Sequence, residues 1–127
     1  MEDPLPSGSW TGYYVYAWAR YSRHRMDLDL HFQAARILGA GSDDVGPFSI
    51  RGWLEADSER LGWVKAYATH DVSYSGFRDA RGIWGTWEIP PGMAGGFRIW
   101  PKGLGSDESI ETAEEIPEEL LASVTLR

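Results

Sequence analysis

Between Arg25 and Ala34 the chain reads RMDLDLHFQA, and this alternation constrains the fold more than any other feature. Met26, Leu28, Leu30 and Phe32 fall on one side, and Asp27, Asp29, His31 and Gln33 on the other. A period of two over eight residues is a strand with one face buried and one face wet. The same grammar recurs from Trp10 to Pro101. GSWTGYYVYAWA comes first, then FSIRGWL, LGWVKAYATH, DVSYSGF, IWGTWEI and GGFRIWP, short segments punctuated by glycine. Pro90, Pro91 and Pro101 suit strand ends, because proline cannot donate to a ladder. No helical period is sustained in this region, and the basic segment WARYSRHR reads as a loop or strand end. Short sequential strands joined by hairpin-length turns predict an all-β, antiparallel, up-and-down barrel of about eight strands.

With 127 residues there is room for one domain and its core. Seven Trp, six Tyr and four Phe favour a pleated surface over helices. The domain is expected over residues 1–101. Residues 102–127 are expected to form an acidic, flexible extension, with a short helix beginning near Pro117 and running through Leu121. That segment holds seven of the nineteen acids against Lys102 and Arg127, so most of the net charge of −7 lies there. Low aromatic content and dense charge are the composition of a solvated tail. It also offers a docking segment for a basic partner.

Composition excludes several classes of function. There is no cysteine, hence no disulfide framework and no thiolate metal site. No basic stripe is offered to phosphates, so nucleic acid is not an expected partner. No apolar run of transmembrane length occurs, and MEDPLPSGSW lacks the basic and apolar segments of a signal peptide, so a cytoplasmic protein without membrane contact is expected. The three histidines, His24, His31 and His70, are scattered without metal-ligand spacing. Neither metal, cofactor nor catalytic residue can be named.

Gly8-Ser9-Trp10 resembles the G-x-W that opens the first strand of calycins, the superfamily of lipocalins, fatty-acid-binding proteins and avidins. In lipocalins a basic residue of the last strand packs across that tryptophan, and Arg98 in GGFRIWP stands in the matching place. The resemblance covers residues 8–101 and implies a closed barrel sealed by Trp10 and Arg98. It departs from the family in lacking a T-D-Y element and the avidin ligand set. A histidine near the C-terminus, as a heme-binding barrel of the nitrobindin type needs, is also missing.

If Trp10 faces inward, strand parity carries Tyr14, Tyr16 and Trp18 inward too. A greasy interior would use Leu, Ile and Val, whereas each buried tyrosine hydroxyl needs a partner. Tyr14, Tyr16, Trp18, Tyr67 and Trp87 are therefore the candidate ligand-binding residues. Glycines at inward positions 12, 52 and 85 either leave space for a ligand or permit the bends of a small barrel. In GWVKAYATH two faces compete, and Val64, Ala66 and Ala68 are expected to face in, leaving Lys65 solvated. Three functions follow: a non-catalytic protein holding a small, partly apolar molecule; an interaction module, as a homodimer or with another protein, using exposed Trp53, Trp84 or Trp100 with the tail; and, last, a small-barrel isomerase or cyclase.

Overall fold

The computed structural model describes residues 5–56, 58–103 and 109–125. Eight strands follow one another: β1 (Gly8–Tyr16), β2 (Ala19–Gln33), β3 (Arg36–Asp43), β4 (Pro47–Leu54), β5 (Arg60–Tyr67), β6 (Asp71–Arg78), β7 (Ile83–Ile89) and β8 (Met93–Pro101). A helix, α1 (Glu118–Thr125), completes the described chain. Each strand pairs antiparallel with the next, and β1 closes on β8 through pairs running from Trp10↔Pro101 to Tyr16↔Gly95. The expected all-β up-and-down barrel is the observed one.

Period-two burial follows from the sequence. Trp10 and Tyr14 from β1, Met26, Leu28 and Leu30 from β2, and Trp63, Tyr74, Phe97 and Ile99 fill a single interior cluster. One end is plugged by Trp10, whose ring meets Phe32 at 5.7 Å and whose indole N–H donates to the Pro6 carbonyl at 2.9 Å. That bond folds the N-terminal stretch over the plug, with Leu5 packed against the interior cluster. The inward glycines serve curvature rather than space. A Cβ at Gly12, Gly52 or Gly85 would stand 2.1 Å from a carbonyl oxygen of the adjoining strand. The sheet bends so sharply there that neighbouring backbone occupies the side-chain position.

Several expectations change. All of WARYSRHR except Trp18 belongs to the first half of the 15-residue β2, since pairing runs from Gly8↔Leu30 to Tyr16↔Ala19, with residues 20–23 of β2 bulging opposite Val15. Arg98 does not cover Trp10. Register places Arg98 opposite Tyr13, on the outer face, while Trp10 shares the inner face with Gly12 and Tyr14. The Arg98 guanidinium instead lies 5.9 Å from the Trp84 ring and 4.0 Å from the Glu114 carboxylate.

Residues 109–125 are laid against the barrel wall. Ala113, Ile116 and Leu121 bury Tyr13, Val15 and Trp100 in a second, external cluster. Tyr13 donates its hydroxyl to the Glu114 carbonyl at 2.5 Å, and Arg23 donates to the carbonyls of Ile110 and Ala113 at 2.8 Å. The tail's acids meet barrel arginines: Glu118 lies 3.3 Å from Arg20 and Glu114 3.1 Å from Arg81. The expected helix near Pro117 is α1; the expected free extension is, over these residues, a docked strap. Trp100, expected on an exposed face, lies beneath it.

Candidate functional site

The end of the barrel opposite the Trp10 plug is open. β1, β3, β5 and β7 all finish there, and a cavity of about 350 Å³ lies between them. Its walls are Tyr14, Tyr16, Tyr67, Tyr74 and Trp87, with Val72 and Ile89 between them and Val45, His70 and Met93 at the rim. Tyr14, Tyr16 and Trp87 stand nearly perpendicular to one another: Tyr14–Trp87 at 6.2 Å and 88°, Tyr16–Trp87 at 5.4 Å and 83°. Edge-to-face contacts of this kind hold the rings upright as a box. The Trp87 indole is fixed by its N–H, which donates to the Val15 carbonyl at 3.1 Å.

Behind these rings lies a buried ion pair. Lys65 is inward and 1% exposed, contrary to the solvated lysine expected. The inner face of β5 carries Trp63, Lys65 and Tyr67, and Val64 is left outside. All three ammonium hydrogens are used: Lys65 Nζ lies 2.5 Å from Asp43 Oδ2, 3.2 Å from the Tyr74 hydroxyl and 3.7 Å from Met26 Sδ. The rings of Phe48, Tyr14, Tyr67 and Tyr74 surround it at 4.4 to 5.3 Å, a favourable arrangement for a desolvated cation.

Asp43 is equally occupied. Its Oδ2 also accepts from the Tyr67 hydroxyl, and its Oδ1 accepts from the backbone N–H groups of Val45 at 2.9 Å and Gly46 at 3.4 Å. One carboxylate thus shapes the β3–β4 turn and compensates the lysine. Burial pulls the Lys65 ammonium below the ordinary lysine range, against the opposing pull of Asp43 and Asp44.

Asp44 serves the other side of the mouth. It accepts from the Tyr14 hydroxyl and binds His24 Nδ1 at 2.5 Å, while the His24 ring stacks on Tyr14 at 4.8 Å. Burial alone would raise this carboxyl, but the hydrogen bonds from Tyr14 and His24 outweigh it and hold the group below its ordinary value. Burial, reinforced by Asp44 for Tyr14 and by Asp43 for Tyr67, raises both phenols, and burial raises Tyr74 as well. All three stay protonated at neutral pH.

Of the five candidate residues, Tyr14, Tyr16, Tyr67 and Trp87 line the cavity. Trp18 does not: β1 ends at Tyr16, the chain turns, and the Trp18 ring is 66% exposed against the outside of Tyr16. The sequence reading missed Tyr74, Lys65 and the two acids. Tyr74 was signalled by the parity of DVSYSGF, in which Val72, Tyr74 and Gly76 share a face. Asp43 and Asp44 looked like ordinary turn residues, and only the closed barrel brings them to Lys65 and His24. Among the described residues no group of His, Asp or Glu has the arrangement of a metal site, and no helix is long and apolar enough to cross a membrane.

Compared with protein-family models, curated proteins and solved structures, the chain has no significant match.

Proposed function

We propose that this chain is a calycin-like barrel that holds one small, partly apolar molecule in the open mouth without transforming it. The observation that carries the reading is the aromatic box of Tyr14, Tyr16, Tyr67, Tyr74 and Trp87 around about 350 Å³. That volume is at the lower end of the range for small-molecule sites, and the lining is of the apolar, aromatic kind such sites use. A barrel built only for stability would fill the mouth with aliphatic side chains. The ionisable groups behind the box favour holding over chemistry. Lys65 and Asp43 have their hydrogen-bonding capacity committed to each other and to the fold, and a general base must have a free lone pair within reach of its proton.

Titration with naphthalene, a neutral ring system that fits this space, followed through backbone amide resonances, tests the reading. Shifts should concentrate at the ends of β1, β5 and β7 and the start of β6. Shifts confined to the outer wall, or none at saturation of the probe, would contradict it.

A second reading has one observation in its favour. Leu38, Trp53 and Val64 are all exposed on the outer face of β3, β4 and β5, with Arg51 paired between Leu38 and Val64. Such a patch suits a protein partner. Under this reading Trp53→Ala leaves the fold intact and removes a partner from pull-downs; an unchanged partner set counts against it.

A further inference from the structure

Resting on the proposed binding role, the hydrogen-bond inventory of the mouth narrows the class of molecule. Lys65 supplies three donors, and Asp43, Tyr74 and Met26 take all of them. The Tyr14 hydroxyl hydrogen goes to Asp44 and that of Tyr67 to Asp43. Tyr74 is different. Its oxygen accepts from Lys65, so its own hydrogen is left over, and among the described residues no acceptor takes it. Tyr74 is 4% exposed and lines the cavity, with Trp63 stacked at 5.4 Å holding its ring in place. A buried donor without an acceptor is costly, and a ligand that supplies the acceptor removes that cost.

Charge narrows the class further. Asp43 compensates Lys65, and Asp44 is engaged by Tyr14 and His24. Among the described residues an anionic ligand therefore meets no lysine or arginine free of a carboxylate in the walls, and the one imidazole at the rim, His70, has its Nδ1 on the Thr69 hydroxyl. A cationic one must share rings already facing the Lys65 ammonium, 5.1 to 5.3 Å from the centroids of Tyr14, Tyr67 and Tyr74. What fits is an uncharged body of ring-like, apolar character with a single acceptor at its leading end.

We propose that the barrel selects an uncharged aromatic or conjugated carbonyl compound, its oxygen accepting from the Tyr74 hydroxyl and its body enclosed by Tyr14, Tyr16 and Trp87. Lys65 donates to the same hydroxyl oxygen, and so makes the Tyr74 hydrogen a stronger donor through the cooperativity of linked hydrogen bonds. Tyr74 is the specificity-determining residue.

The test uses four probes that share a naphthalene body: naphthalene, 2-acetylnaphthalene, 2-naphthoate and the 2-naphthyltrimethylammonium ion. Dissociation constants for the full chain are measured by equilibrium dialysis at pH 7. The ketone should bind about tenfold more tightly than the hydrocarbon, and both charged probes more weakly than the ketone. The infrared carbonyl stretch of the bound ketone should move below its position in an apolar solvent. In Tyr74→Phe the ketone should lose its advantage, the two affinities measured on that variant becoming equal. Tightest binding by the carboxylate or the ammonium would overturn the inference, as would a ketone advantage that survives Tyr74→Phe. Should that variant fail to fold, the infrared measurement on the unaltered protein decides: an unshifted stretch overturns the proposal. Equal binding of all four probes overturns the class alone, whereas binding of none overturns the binding role as well.

Discussion

Lys65 is where local sequence and fold part company. In GWVKAYATH either alternate set could face inward, and small apolar side chains on one of them made a lysine-out reading attractive. The partners that make a buried ammonium tolerable, Asp43 and Tyr74, are 22 and 9 residues away, beyond any local pattern. A buried pair of this kind is costly to break from one side. Lys65→Met should cost about 3 kcal/mol of stability by urea denaturation, by leaving the Asp43 carboxylate buried without its cation. Adding Asp43→Asn should recover part of that loss, because the turn-shaping acceptor survives without the charge. A single variant as stable as the parent would show that the pair is not the closed unit described. Gly52 was legible as special in sequence, although its purpose was not. With Gly62 O only 2.1 Å from a Cβ at that position, Gly52→Ala should destabilise by about 2 kcal/mol or more through overpacking. A thermal melt within a degree or two of the parent would contradict it.

The strands themselves were readable, because alternation and turn residues agree from Trp10 to Pro101. Where elements meet was not. Trp18 follows Tyr16 in parity but lies past the last residue of β1, so the periodic argument was carried beyond the strand that licensed it. Arg98 was assigned to Trp10 by resemblance, yet register with Tyr13 turns it outward. The tail shows the same limit. Its composition is that of a solvated segment, while its apolar residues, Ile110, Ala113, Ile116 and Leu121, are spaced to cover Tyr13 and Trp100. Arg20, Arg23 and Arg81 supply the contacts that its acids and carbonyls need. Deleting residues 109–127 should uncover Trp100, shift tryptophan emission to longer wavelength and lower the melting temperature. Unchanged emission would mean that the strap does not cover Trp100 in solution.

For the molecule as a whole, Asp44 at the mouth and Asp27 on the outer face of β2 couple stability to pH. The carboxyls of Asp44 and Asp27 titrate below their ordinary values; for Asp27, hydrogen bonds from Arg25, Lys102 and Thr11 overcome the opposing effect of burial. A carboxyl depressed in the folded state stabilises above its unfolded value, and that stability is lost as pH falls through the folded value. Stability should therefore decline on acidification below about pH 4. Asp44→Asn should cost about 1 kcal/mol at pH 7, through weakened hydrogen bonds to Tyr14 and His24, and the gap to the parent should narrow by pH 3. A gap that is constant across that range would separate Asp44 from the acid response.

Whether the open, aromatic mouth holds a ligand is decided by native mass spectrometry of the protein purified from its own cells, beside Trp87→Ala prepared identically. The parent should carry an extra mass on the order of a few hundred daltons, as befits a cavity-sized ligand, lost on denaturation and absent from the variant. A bare chain in both preparations, or the same extra mass on both, would contradict a ligand held in the aromatic box.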